Sequence, residues 1–294
     1  MKTERVELEV KGEKVVGVLY RPDGDRKHPA VVIDGPLTSV KEQVAANHAR
    51  ALAERGFLAL AFDHRYFGES GGKPRQYESP PAKIEDLTAA IAFLANCPEV
   101  DADKIAVLGV CAGAGYAAGA VAGNDRVKAF ATVAGFFHDA EQQKKWMGAG
   151  YDEAVEKANA AKKRFTETGE AETIPAVGKE GPVAMPLAEA FEYYGTPRGA
   201  VPNYVNAFAV MSRADTLPYD AQQYASKIKV PTLVVHSEKA LAPALARKFH
   251  DALGSTKKES VWLESKGQID FYDDPALIAS ASDRVAKWFT EHLR

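Results

Sequence analysis

The chain opens on one hydrophobic rhythm and then changes to another. Charged and apolar residues alternate through "RVELEV" and "KVVGVLYRP", joined by Lys11-Gly12-Glu13, which is the period-two pattern of an antiparallel hairpin. Short, near-continuous apolar runs follow at 29–34 ("PAVVID"), 57–63 ("FLALAFD"), 104–110 ("KIAVLGV") and 128–136 ("KAFATVAGF"). Strands covered on both faces read this way. Segments of helical length, 41–56, 81–97 and 112–123, separate them, and Gly56 is well placed to stop the first helix. The same alternation returns near the end as a strand at 230–238, a helix at 242–253, a strand at 257–264 and the amphipathic "PALIASASDRVAKWFTEHL". Strand alternating with helix predicts an α/β fold, a mostly parallel doubly wound sheet with the hairpin at its start.

Residues 139–226 interrupt this series with charged helical patterns ("DEAVEKANAAKKRFTE"), a Pro/Gly-rich stretch and an aromatic region, and no buried strand is visible there. Its aromatic content argues against a disordered excursion. The predicted organisation is a core built from 1–138 and 227–294, with an inserted helical cap at 139–226.

Composition narrows the function by exclusion. The net charge of -3, with acids and bases interspersed, lacks the basic stripe that tracks phosphates, so nucleic acid is not an expected partner. The N-terminus carries no apolar signal core, and two cysteines make no disulfide framework; a cytoplasmic location is expected. Residues 105–123 are uncharged and long enough to span a bilayer, but their five glycines suit a strand and a tightly packed helix better, so no membrane is expected. Metal-ligand spacing, a phosphate loop and a dinucleotide fingerprint are not found in the sequence. The expectation is a small-molecule substrate and no cofactor; a homodimer is compatible with the sequence.

The chemistry concentrates in "LGVCAGAGY" (108–116), where Gly109-x-Cys111-x-Gly113 has nucleophile-elbow spacing with small neighbours between a predicted strand and helix. Together with "VVIDGPLTSVKEQ", "GFLALAFDHRYFGESGGKPRQYESP", "KIEDLTAAIAFL", "PTLVVHSEKA" and "KGQIDFYD", this resembles the α/β-hydrolase superfamily. Within it the likeness is to dienelactone-hydrolase-like and acyl-peptidase-like bacterial members with a helical cap. The resemblance implies Cys111 as nucleophile and the Ala112 amide as one oxyanion donor. The second donor comes from "DGPLTS" (34–39), where Pro36 has no N–H and Leu37 does. It also implies an acid and a histidine that the sequence lacks. Ala240 occupies the acid position in "HSEKALAP", and Gln268 occupies the histidine position in "SKGQIDFYD". An amide cannot serve as general base at neutral pH.

Either the base has moved or ordinary hydrolysis is not the reaction. His138, beside Asp139, is the first candidate base and His64 the second, since both follow carboxyl ends of strands; His236, which closes a strand, is a further candidate expected to point into packing. His28, His48, His250 and His292 are read as solvated. Glu238 is the candidate replacement acid, and a helix N-terminus would lower the Cys111 pKa. Arg65 and Glu69 are read as a pair bracing their loop. Tyr66, Phe67, Phe136, Phe137, Trp146 and Tyr204 are the candidate substrate-binding aromatics. The expected function is a hydrolase acting through Cys111 on a hydrophobic or aromatic ester, lactone or thioester. Two alternatives stay open: a non-hydrolytic cyclase or lyase on a polyketide-like or aromatic metabolite, and a catalytically silent ligand-binding member.

Overall fold

Strands β1 (Lys2–Val10) and β2 (Glu13–Arg21) pair antiparallel with Val10 opposite Glu13. Lys11 (φ 55°) and Gly12 (φ 81°) between them are both left-handed, as a two-residue turn between twisted strands requires. The computed structural model describes residues 1–24 and 26–293. Along the chain follow β3 (His28–Asp34), α1 (Val44–Ala53), β4 (Leu58–Phe62), α2 (Pro80–Ala95), β5 (Val100–Val110), α3 (Gly113–Val121) and β6 (Val127–Val133). The inserted segment holds α4 (Ala140–Met147), α5 (Gly150–Thr168), β7 (Thr173–Ile174), α6 (Ala188–Tyr194), β8 (Phe208–Ala209) and α7 (Arg213–Thr216). The chain then returns through β9 (Thr232–His236), α8 (Pro243–Ala252), β10 (Lys258–Trp262), α9 (Asp270–Asp273) and α10 (Pro275–His292).

The main sheet has eight strands in the order β1-β2-β4-β3-β5-β6-β9-β10. From β4 to β10 every pairing is parallel, and β2 joins β4 antiparallel. This is the α/β-hydrolase fold that the sequence resembles. The parallel strands therefore end at one edge, which is where open α/β sheets bind ligands. Every residue of β4 and β9 is buried, the reason their sequences show apolar runs rather than alternation. Helix α3 packs closely because it is made of Ala and Gly; a Cβ at Gly119 would meet Ile84 Cδ1 at 2.5 Å. Ser79 and Asp274 cap α2 and α10 by accepting backbone N–H bonds, each with Pro in the first helical position. Among the described residues no helix is long and apolar enough to cross a membrane; the uncharged 105–123 stretch is β5 running into α3.

Two features depart from the sequence reading. The insertion contains a two-residue strand pair, β7 with β8, with Phe208 and Ala209 buried, too short to leave a periodic signal. His48 and His28 are buried rather than solvated. Helix α1 is covered by α9 and α10, so its second face is interior, and His48 meets the Phe271 carbonyl at 3.0 Å. Burial lowers its pKa to about 4, leaving a neutral imidazole.

Candidate active site

Cys111 sits between β5 and α3 with φ 53°, a left-handed conformation that a non-glycine residue holds only when its surroundings impose it. Those surroundings are explicit. A Cβ at Gly109 would lie 2.5 Å from Ala114 Cα, and one at Gly113 would lie 2.5 Å from the Gly35 carbonyl oxygen. The first contact lets the chain reverse into α3; the second seats the 34–39 loop against the elbow. Leu37 and Ala112 line the same cavity as Cys111, and the Ala112 N–H hydrogen-bonds the sulfur. The loop is held from behind by buried Glu78, whose carboxylate accepts the Thr38 N–H at 3.2 Å and pairs with Lys83 Nζ at 2.7 Å.

The sulfur is bonded by Tyr272, Ala112 and Gln268, with the Glu189 carboxylate nearby. Burial pushes the Cys111 thiol above its ordinary pKa, and the three donors only partly offset this. The expected lowering by the helix N-terminus is therefore corrected: desolvation of a thiolate outweighs it. Gln268 occupies the place of the missing histidine and is fixed at both ends of its amide. Its Oε1 accepts the Leu241 N–H at 2.9 Å, and its Nε2 donates to the Ala134 carbonyl at 2.8 Å. From the insertion, Glu189 Oε2 accepts the Gln268 backbone N–H at 3.0 Å.

The remaining candidates are not among the groups that bond the sulfur. His64 is clamped between Asp34 (Nε2 to Oδ1, 2.9 Å) and Asp86 (Nδ1 to Oδ2, 3.2 Å). Burial opposes its protonation, but the carboxylates prevail and its pKa is raised; it braces the start of the 34–39 loop at Asp34. His138 lines the cavity, boxed by the rings of Tyr116, Phe136 and Tyr219. Burial, with Lys83 adding to it, lowers its pKa to about 3. Asp139 does not orient it: that carboxylate caps α4 through the Gln142 N–H and pairs with Lys248. His236 is buried, with its ring nitrogens against the Ser237 and Gly135 carbonyls. Glu238 points outward and pairs with exposed Arg247. Arg65 and Glu69 do not pair: Arg65 bonds Asp86 and Glu85, while Glu69 bonds Lys41 at 2.6 Å.

Above the sulfur lies a cavity of about 590 Å³. Core residues Phe136, Leu241, Ile269 and Tyr272 form one wall, and Met147, Val183, Met185, Tyr194, Phe208 and Leu217 of the insertion form the other. Trp146 and Leu187 line it while remaining exposed, at 52% and 38%, and so mark its mouth. Of the six aromatics expected to bind substrate, Phe136 and Trp146 line this cavity. The others pack elsewhere: Tyr66 on Tyr77, Phe67 beneath Lys83, Phe137 against Phe249 at 3.9 Å, and Tyr204 on Tyr194. Among the described residues no His, Cys, Asp or Glu cluster could hold a metal ion.

Sequence reading missed Tyr272, Glu189, Glu78 and Arg213. Only Tyr272 left a usable signal, four residues after Gln268 and hence on the same side of a helical turn. The X-Pro dipeptidyl-peptidase (S15) family model matches residues 11–175. The uncharacterized YcjY protein of Escherichia coli strain K12 is 35% identical over 289 residues, 94% of each chain. The crystal structure of hypothetical protein PA2218 from Pseudomonas aeruginosa superposes with a TM-score of 0.86 at 32% identity, covering 99% of this chain and 94% of that one. A thiohydrolase of Eupenicillium brefeldianum is 26% identical over 258 residues, 82% of this chain and 80% of the relative. A family match that runs from the hairpin turn through the 34–39 loop and the elbow, with relatives alike over nearly their whole length, fixes the assignment: the chain belongs to the X-Pro dipeptidyl-peptidase (S15) family and is a hydrolase of the α/β-hydrolase fold.

Proposed function

We propose that the protein takes a large, mainly apolar acyl group from a thioester, lactone or activated ester onto Cys111 and passes it to water or another acceptor. The observation that carries this is the strained Cys111 elbow in the lining of the mainly apolar cavity, with Ala112 and Leu37, whose amides we assign to the oxyanion, lining it too. In the acylation step Sγ forms a bond to the acyl carbon. The carbonyl oxygen becomes an oxyanion facing the two amides, and the bond to the leaving sulfur or oxygen breaks. With a thioester, the proton lost from Cys111 ends on the departing thiol, so the exchange is balanced without an external base.

Gln268 decides among leaving groups. A peptide nitrogen must be protonated as it departs, the work of an imidazolium that this site does not have. A thiolate leaves without help. Thioesters and activated esters are therefore the favoured substrates, and peptide bonds are disfavoured although the family is named for them. The thiohydrolase name of one relative supports the same reading. A second reading follows from Gln268: with no imidazole to activate water, a hydroxyl or carbon nucleophile of the substrate itself is a competing acceptor, giving a cyclised product.

Intact-protein mass spectrometry after mixing with decanoyl N-acetylcysteamine thioester tests the proposal. The expected result is one added acyl group on the wild type and none on Cys111→Ala. Turnover that survives in Cys111→Ala would overturn it.

A further inference from the structure

Arg213 is the one cation among the described residues lining the cavity. It opens α7 on the wall formed by the insertion. Its Nη2 donates to the Val183 carbonyl at 3.1 Å, and no carboxylate among the described residues is paired with it. The acid nearest in sequence, Asp215, is held by Lys162 at 2.9 Å and by Tyr77. The cavity's own carboxylate, Glu189, is turned to the Gln268 backbone. A guanidinium has five N–H donors in a planar fork; the Val183 carbonyl takes one of them, and no Arg213 nitrogen is among the buried polar atoms left without a partner, so the rest stay accessible to a ligand. Burial is the sole influence on its pKa, which it lowers. The other charge lining the cavity, Glu189, has a backbone N–H as its partner rather than a cation.

We infer that Arg213 is a binding residue for an anionic oxygen group on the substrate, a carboxylate or phosphate held by the guanidinium fork at a distance from Cys111. This deepens the acyl-transfer reading and rests on it only for the identity of the substrate, not for the existence of the site. Two parts of a thioester could carry the anion: the far end of the acyl chain, as a carboxylate, or the thiol carrier, as a phosphate. Both offer the same bidentate oxygens.

The experiment separates these sources and is independent of Cys111 chemistry. In the Cys111→Ala protein, calorimetry compares monomethyl sebacate with dimethyl sebacate, and 4′-phosphopantetheine with pantetheine. The expected result is a preference of roughly 10- to 100-fold for the anionic member of one pair, the range of a charge-assisted hydrogen bond. That preference disappears in Cys111→Ala/Arg213→Gln and is partly kept in Cys111→Ala/Arg213→Lys, which retains charge without the fork. The pair that shows it identifies which part of the substrate is charged. No Arg213-dependent preference in either pair overturns the inference. Failure of acyl-Cys111 to form, with the preference intact, would instead overturn the proposed reaction and leave the anion site standing.

Discussion

Installing the missing acid and base should convert this site into an ordinary triad, and the size of the gain can be estimated. The perturbation is Ala240→Asp with Gln268→His. Gln268 already spans the required gap, touching Sγ at one end and the Leu241 N–H, next to residue 240, at the other. An ordinary thiol near pKa 8.5 is about 3% thiolate at pH 7, and buried Cys111 lies below that fraction. Pairing with an imidazolium would make most of it thiolate, a gain of roughly 30- to 100-fold in the reactive form. The intrinsic nucleophilicity of a thiolate falls as its pKa falls, with a Brønsted slope of about 0.4–0.5, so about half of that gain on a logarithmic scale is lost. Thioester acylation should therefore rise only about 10-fold. Oxygen esters also gain a general acid for the leaving group, worth about 100-fold or more, and should rise roughly 1000-fold in all. The assay is kcat/KM on a matched thioester and oxygen ester across pH 5–9, with folding checked by circular dichroism. The double variant should show a new ionisation near neutrality. A folded double variant with no gain on the ester and no new ionisation would refute both the placement of Gln268 and the role of Cys111.

Other substitutions probe single parts of this argument. Tyr272→Phe removes a hydroxyl donor from Sγ, so the apparent pKa of Cys111 alkylation by iodoacetamide should rise; an unchanged profile would mean the donor is immaterial. Gly113→Ala forces a methyl against the Asp34 and Gly35 carbonyls and should cost about 3 kcal/mol or more of stability, read as the shift in urea midpoint. Acid should destabilise the fold through His48 and His138, whose folded pKa values of about 4 and about 3 lie below the unfolded value near 6.5. Between those values the unfolded chain binds more protons, so stability falls as pH drops, by about 2 kcal/mol per histidine from pH 6.5 to 5. His64, with its raised pKa, works in the opposite direction. His48→Gln should therefore flatten the loss of stability on the acid side, and an unaltered slope would count against a neutral His48.

The α/β architecture was legible because strands sealed on both faces must be apolar throughout, and the elbow because its glycines are demanded by contacts below 3 Å. The departures at Ala240 and Gln268 were legible too, since both stand at fixed offsets within loops that resemble the family's. The surroundings of Cys111 were harder to read, for a different reason in each case. Glu189 and Arg213 come from the insertion, whose helices carry no fixed register against the core. Glu78 acts from 40 residues beyond Thr38, through a buried ion pair that looks like any exposed Glu and Lys in sequence. Tyr66 and Phe67 were misread because aromatic residues beside a strand end can face the cavity or the protein interior, and local pattern does not distinguish the two. His48 shows the same limit on a helix: both faces of α1 are covered, which its sequence did not indicate.

The buried, hydrogen-bonded state of Cys111 also bears on how the enzyme ages. Oxidation to sulfenic acid begins from a thiolate exposed to peroxide, and Cys111 is 8% exposed with its acidity suppressed by burial. Under the proposed acyl transfer, a sulfur held mainly as the thiol gives up speed for durability. It should outlast low-pKa cysteine enzymes in hydrogen peroxide, and bound acyl substrate should add little further protection.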